Sequence, residues 1–243
     1  MRRLTSNELM TVYDDFLPKE AFDALLSHVT AAGFQIVHRE RWGKVWRLGD
    51  GFPLEGARLS TYYGSGATPP EIDEGPRYPT GTPIDAFVDA VDRVIGREPC
   101  FANGAGATLN RLTVSPAVYR PGSGLSLHRD RFGYSGSYAY YIHREWNFHW
   151  GGHLLILDPR TEDSYAGDYD YSYNRPFLSD EDEGWGTAAP GLATCILPKP
   201  NRLVFIAPEA RHMITRVDGN AGDRPRVALV GFFTLAEGPV CPG

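Results

Sequence analysis

The chain has 243 residues, 42% of them hydrophobic and 22% charged, which is enough apolar material for one packed domain and too much for wholesale disorder. A formal net charge of −6 excludes a general nucleic-acid binder, which needs a basic face, while leaving room for a local basic pocket. The polar start Met1–Glu8 lacks the apolar core of a secretion signal, and no apolar run is long enough to cross a membrane. Cys100, Cys195 and Cys241 are odd in number and widely spaced, without a disulfide framework or a paired zinc spacing, so a reducing cytoplasm is the expected setting.

In chain order, Phe22, Leu25, Leu26 and Val29 fall at helical spacing and predict an amphipathic helix from Pro18 to Ala31. Residues 34 to 80 mix short apolar stretches with many glycines and prolines, the pattern of short strands and long loops. A second helix is expected from Pro83, at its first turn, through Phe87, Val88, Val91 and Val94 to Gly96. From Ala107 the pattern turns to strands: Leu109–Tyr119, Leu125–His128, Tyr138–Ile142, His153–Leu157, Leu203–Ala207, His212–Val217 and Arg226–Leu235. The prediction is a single domain over 1–243, mainly β with flanking helices (α+β), built as a sandwich or jelly roll.

The stretch from Asp158 to Gly186 stands apart, with nine acidic residues and the tyrosines Tyr165, Tyr169, Tyr171 and Tyr173. A long insertion between core strands is expected to be a lid, and its carboxylates would draw a cationic substrate; a solvated acidic surface loop is the plainer reading.

His128-Arg129-Asp130 carries the chemistry. Residues two apart in a strand share a face, so His128 and Asp130 can aim an imidazole and a carboxylate at one point. A further histidine from a later strand, His212, would complete two nitrogens and one oxygen around a metal. That set leaves positions open for a chelating co-substrate and dioxygen, as non-haem Fe(II) oxygenases require. His-Arg-Asp also occurs in kinase catalytic loops, but no Asn follows at the required spacing and no Asp-Phe-Gly or glycine-rich loop accompanies it. A zinc protease would need His-Glu-x-x-His on a helix, which is absent. His149 and His153 flank Trp150-Gly151-Gly152, whose glycines make a helical metal pair untenable, so both are left outside the metal site.

Asp218-Gly219-Asn220-Ala221-Gly222-Asp223 is a strong turn signal. A hairpin centred near 220 would put Arg226 about three residues, roughly 10 Å, from the level of His212. A planar guanidinium there suits two-point anchoring of a carboxylate. Arg224 lies on the same face and competes with it, though it precedes Pro225.

With these residues in place, the chain resembles the prolyl-hydroxylase-like branch of the Fe(II)/2-oxoglutarate oxygenase superfamily. The resemblance runs from Tyr119-x-x-Gly122 and His128-x-Asp130 through Tyr140-Tyr141-Ile142-His143-Arg144-Glu145-Trp146 and Trp150-Gly151-Gly152-His153-Leu154. It continues with Pro200-Asn201-Arg202-Leu203-Val204-Phe205, His212 and Arg226-Val227-Ala228-Leu229, and Phe16-Leu17-Pro18 resembles the usual N-terminal element. It implies a distorted double-stranded β-helix of the cupin-like jelly-roll type, with Fe(II) held by His128, Asp130 and His212, and Arg226 on the remote carboxylate of 2-oxoglutarate. Tyr119 is a second candidate for that carboxylate, with a half-buried strand tyrosine as the bland reading. His143, where relatives commonly show asparagine, carries over no role.

The resemblance also implies the reaction: dioxygen and 2-oxoglutarate consumed together, with no acid or base side chain as main catalyst. Halogenases of the superfamily have a small residue where Asp130 stands, so hydroxylation or a related C–H oxidation is expected. A small molecule, such as an amino acid or specialised metabolite, is the expected substrate. The alternatives are a residue hydroxylase acting on proline or another side chain in a peptide or protein, and a non-catalytic cupin-like metal sensor. No nucleic-acid or membrane partner is expected.

Overall fold

Two long antiparallel strands organise the molecule: β6 (Thr108–Tyr119) and β13 (Arg226–Ala236), paired so that Arg226 lies opposite Tyr119 and Phe233 opposite Leu112. The structure, a computed structural model, describes residues 1–37, 50–65, 67, 75–98, 101, 107–128, 130, 133–161, 191–208 and 210–236. Before β6 come β1 (Arg2–Ser6), β2 (Met10–Asp14), α1 (Lys19–Thr30), β3 (Phe34–Ile36), β4 (Leu54–Gly56), β5 (Ser60–Tyr63) and α2 (Ile84–Ile95). Between β6 and β13 come β7 (Leu125–His128), β8 (Gly136–Tyr141), β9 (Leu154–Leu157), β10 (Ala193–Ile196), β11 (Leu203–Ile206) and β12 (His212–Ile214).

The larger sheet runs β1-β2-β11-β8-β13-β6-β4-β3, with β5 also on β6, and the smaller runs β10-β9-β12-β7. All these pairings are antiparallel, as in a double-stranded β-helix. Alternation along β6 sets its two faces. Leu112 and Val114 are fully buried on the helix side, while Arg111, Thr113, Ser115, Ala117 and Tyr119 point between the sheets.

The helices form where the apolar spacing predicts them. Phe22, Leu25, Leu26 and Val29 are the buried positions of α1, and Ile84, Phe87, Val88, Val91 and Ile95 are among those of α2. Both lie on the larger sheet through aromatic packing: Phe87 stacks on Tyr140 at 4.9 Å, and Phe16 meets both rings edge-on. Asn201 fastens this layer. Its side-chain oxygen accepts from Leu17 N and the Tyr140 hydroxyl, and its amide donates to Leu17 O.

Three strands escaped the sequence pattern: β1, β2 and β10. β1 and β10 are almost wholly exposed and show no apolar alternation, and β2 is buried along its whole length. The predicted strand His212–Val217 is regular only to Ile214, and the hairpin between it and the Arg226 strand does not exist. β12 sits between β9 and β7 in the smaller sheet, whereas β13 sits between β8 and β6 in the larger one. The turn signal is real, with a tight turn at Gly219–Ala221, but the chain there crosses from one sheet to the other. Residues 162–190, most of the predicted insertion, lie outside the described residues. No described helix is long and apolar enough to cross a membrane.

At Gly231 β13 lies close against β6: an added Cβ would stand 1.9 Å from the Thr113 carbonyl oxygen. Gly231→Ala is therefore expected to cost about 1–3 kcal/mol, as overpacking does. Gly33→Ala, with nothing within 4 Å, should change stability by less than about 0.5 kcal/mol. Urea unfolding of both variants checks this, and equal midpoints would mean that the two strands are not locked at this level.

Candidate metal centre

The ends of β7 and β12 place two histidines side by side. His128 and His212 are direct cross-strand partners, and their rings lie 4.3 Å apart between centroids. Each ring is oriented by its own backbone: His128 Nδ1 donates to Ser126 O at 2.7 Å, and His212 Nδ1 donates to Ala210 O at 2.9 Å. With the proton committed to Nδ1, the lone pair of each neutral ring sits on Nε2. Both Nε2 atoms face Asp130, at 3.8 Å from Oδ1 for His128 and 3.7 Å from Oδ2 for His212.

Asp130 lies just beyond the end of β7, so strand alternation alone does not aim it. Its Oδ2 accepts a short hydrogen bond from the Ser137 hydroxyl on β8, across from the other sheet. The three side chains are buried, and one ligand atom from each lies within 4.8 Å of the other two. Two neutral imidazoles and one carboxylate, gathered out of water with their lone pairs converging, suit a divalent cation.

Arg226 enters the same space from the larger sheet. It is completely buried, yet Nε, Nη1 and Nη2 find no hydrogen-bond partner among the described residues. Its guanidinium is instead held between two rings, 4.8 Å from the Tyr141 centroid and 5.2 Å from that of Tyr119. A buried cation without an anion is costly by several kcal/mol, so this group is built to receive one. Burial pushes the Tyr119 hydroxyl up to about 12, so it stays a protonated donor beside the guanidinium at neutral pH. The close approach of Gly152 matters here. Its φ is +65°, and a Cβ would stand 2.8 Å from Arg226 Cδ, so a side chain would displace the arginine.

Arg224 does not share this place. It is exposed, bonds Glu145 Oε1 at 3.1 Å and lies over Trp150. His153 is also turned away from the triad, with Nε2 at 2.8 Å from Phe148 O. Three residues given no role from sequence belong to the site: Ser137 holds Asp130, Tyr141 stacks on Arg226, and His143 lines the same buried end. Strand alternation puts Ser137, Tyr141 and His143 on one side of their segment, a signal that becomes useful only once β8 is known to face the metal ligands. Ser137 and Tyr141 are four residues apart, about 13 Å along the strand.

No protein-family model and no curated protein matches the sequence. Solved structures do match in shape. A prolyl-4-hydroxylase of Pseudomonas putida is 18% identical, covers 94% of this chain and 93% of its own, and has a TM-score of 0.55. A prolyl hydroxylase of Trichoplax adhaerens, solved with a hypoxia-inducible-factor peptide fragment, is 16% identical over 94% of this chain and 84% of its own, with a TM-score of 0.55. HygX of Streptomyces hygroscopicus, solved with nickel, 2-oxoglutarate and hygromycin B, is 12% identical over 95% of this chain and 83% of its own, with a TM-score of 0.53. The chain has the jelly-roll fold of the 2-oxoglutarate and Fe(II) oxygenases, prolyl-hydroxylase-like enzymes among them.

His143 gives this buried end a pH signature. Burial, helped by the positive charge of Arg226, pushes its imidazole down from 6.5 to about 3, against the opposing hydrogen bond to Val227 O. The unfolded chain therefore takes up this proton first as the pH falls. Stability from the neutral ring is complete above about pH 6.5 and is lost towards pH 3, by up to about 1.4 kcal/mol per pH unit. His143→Asn should flatten the decline in melting temperature between these limits. Parallel declines in both proteins would show that the ring is not held neutral.

Proposed function

We propose that this protein is a non-haem oxygenase that uses Fe(II), 2-oxoglutarate and dioxygen to oxidise a C–H bond of a small molecule, most simply by hydroxylation. The observation that carries this reading is the pairing of two features in one interior. Three potential ligand atoms converge from His128, Asp130 and His212, and a buried guanidinium at Arg226 has no anion beside it among the described residues. A passive metal site has no use for the second feature, which weighs against a cupin-like sensor.

In this reading His128, Asp130 and His212 hold the iron, and Arg226 receives the remote carboxylate of 2-oxoglutarate with the Tyr119 hydroxyl as a second donor. Bound iron with its co-substrates supplies the oxidising power, through loss of carbon dioxide from 2-oxoglutarate to give succinate. The protein's own part is placement. The backbone carbonyls of Ser126 and Ala210 fix the imidazole orientation, Ser137 fixes the carboxylate, and the tyrosine pair keeps the guanidinium dry and aimed.

An amino acid or specialised metabolite is the proposed substrate class, in the company of a structural neighbour solved with hygromycin B. The likeness to two prolyl hydroxylases supports the second reading, oxidation of a residue in a peptide or protein. The segment from 158 to 186 is proposed as a lid within a single domain spanning the chain, and the proposed setting is the cytoplasm.

Metal titration tests the first part: one equivalent of Fe(II) should bind, with affinity lowered about tenfold or more in each of His128→Ala, Asp130→Ala and His212→Ala. An unchanged affinity removes that residue from the ligand set. For the co-substrate, Arg226→Ala should raise the 2-oxoglutarate concentration needed for succinate formation by about tenfold or more, with much less effect on iron binding. Arg224→Ala should do far less; the reverse ranking would assign the carboxylate to the wrong arginine.

A further inference from the structure

The interior face of the larger sheet changes character past the metal ligands. On β13 the positions 226, 228, 230, 232 and 234 face inward, and on β6 their counterparts are 119, 117, 115, 113 and 111. Arg226 and Ala228 are completely buried, whereas Val230, Phe232, Ser115 and Arg111 are half-exposed. The interior is thus sealed at the Arg226 end and open at the other. Ser137, which holds Asp130, lies opposite Phe232 on β8. Arg111, opposite Thr234, is one inward step further towards the mouth, about 7 Å along the sheet.

That mouth is cationic and aromatic. β5 adds Thr61 opposite Thr113 and Tyr63 opposite Arg111, so both share the inward face. Arg77, bridged to Thr61, brings a second guanidinium to the same ring. Arg111 Cζ is 5.7 Å and Arg77 Cζ 5.9 Å from the Tyr63 centroid. Phe232 makes an adjoining aromatic wall with Tyr134, stacked at 4.6 Å. Strands β5, β6 and β13 contain no Asp or Glu, although the chain as a whole carries a net charge of −6. Arg111 Nε and Thr61 Oγ1 are buried here with no hydrogen-bond partner among the described residues. Both are donors suited to an oxyanion, since a hydrogen bond between a guanidinium and an anion is about twice as strong as a neutral one.

We propose that the primary substrate is a small organic molecule bearing an oxyanion, a carboxylate or a phosphate, that docks against Arg111 and Arg77 over Tyr63 while the carbon to be oxidised points inward to the metal ligands. The proposal rests on the oxygenase reading for its purpose, but its chemistry is that of this wall alone. Arg111 supplies the charge nearest the metal, Arg77 the outer charge, and Thr61 a hydroxyl donor. The Phe232–Tyr134 pair packs the apolar part of the molecule. The sign of the charge is opposite to that of the segment from 158 to 186.

Calorimetric titration with matched probes tests this: 4-phenylbutyrate, its neutral amide, and phenyl phosphate. Titrations are run on the protein alone and with Fe(II) and saturating 2-oxoglutarate under argon. At least one of the two anions should bind about tenfold more tightly than the amide, and the preference should weaken as salt is raised. Arg111→Gln should abolish most of that preference, Arg77→Gln part of it, and Arg111→Lys should keep part of it. Whichever anion binds more tightly names the oxyanion. Equal binding of the amide and both anions, or a preference unchanged in Arg111→Gln, overturns the proposal. Fe(II) titration of the wild-type protein alongside tests the oxygenase reading separately, since the probe preference does not depend on metal.

Discussion

A guanidinium that has nowhere to go is the constraint on which this structure turns. Arg226 is the first residue of β13, and β13 is hydrogen-bonded on one side to β6 and on the other to β8. The backbone cannot withdraw, Gly152 packs close against the side chain, and the residue is completely buried, so the charge does not reach water. Two tyrosine faces recover about 2 kcal/mol each when desolvated, against a burial penalty of several kcal/mol. The balance is met by an anion or not at all. His143 shares this setting: burial first, and then the positive charge of Arg226, hold the neighbouring imidazole neutral.

The two sheets contribute different things to the centre. The smaller sheet supplies the paired histidines, each with its tautomer set by a carbonyl two residues earlier in its own strand segment. The larger supplies Arg226, Tyr119 and Tyr141, together with Ser137, whose hydroxyl reaches across to Asp130. Asp130 thus belongs to one sheet by chain and is held by the other through its side chain. A metal bound to the three ligands, with a co-substrate reaching Arg226, would link both sheets. Ligand binding should therefore be felt as stability of the sandwich as a whole.

Much of this was legible in the residues, and the failures have physical reasons. Helices α1 and α2 announce themselves because each buries one stripe against a sheet, and a 3.6-residue period follows from that. Strands β6, β7 and β13 are visible through apolar runs bounded by turn residues. β1 and β10 are not, because an exposed strand with no buried face leaves no period to detect. The error over the 218–223 turn is of another kind. A turn signal reports that the chain reverses, but not whether the next strand joins the same sheet, which depends on β9 and β8 far away in sequence. His212 and Arg226 face one interior, but from two sheets and not from one hairpin. Ser137 and Tyr141 were invisible for the same reason, since each acts on a residue of a distant segment.

Two cationic positions on one sheet face need not act alike, because burial decides how far each charge reaches. At Arg226 no water intervenes, and a charge pair there keeps the strength of a low-dielectric setting. That suits a co-substrate that must be held in a fixed pose on every turnover. At Arg111 and Arg77 solvent and salt have access, and over a Debye length of about 8 Å at physiological ionic strength their attraction fades. The proposed anionic substrate would be drawn to such a mouth and released from it on weaker terms than the co-substrate. In the proposed function the sealed end would fix the co-substrate and the open end select the substrate, with the cluster of His128, Asp130 and His212 between them along the same interior.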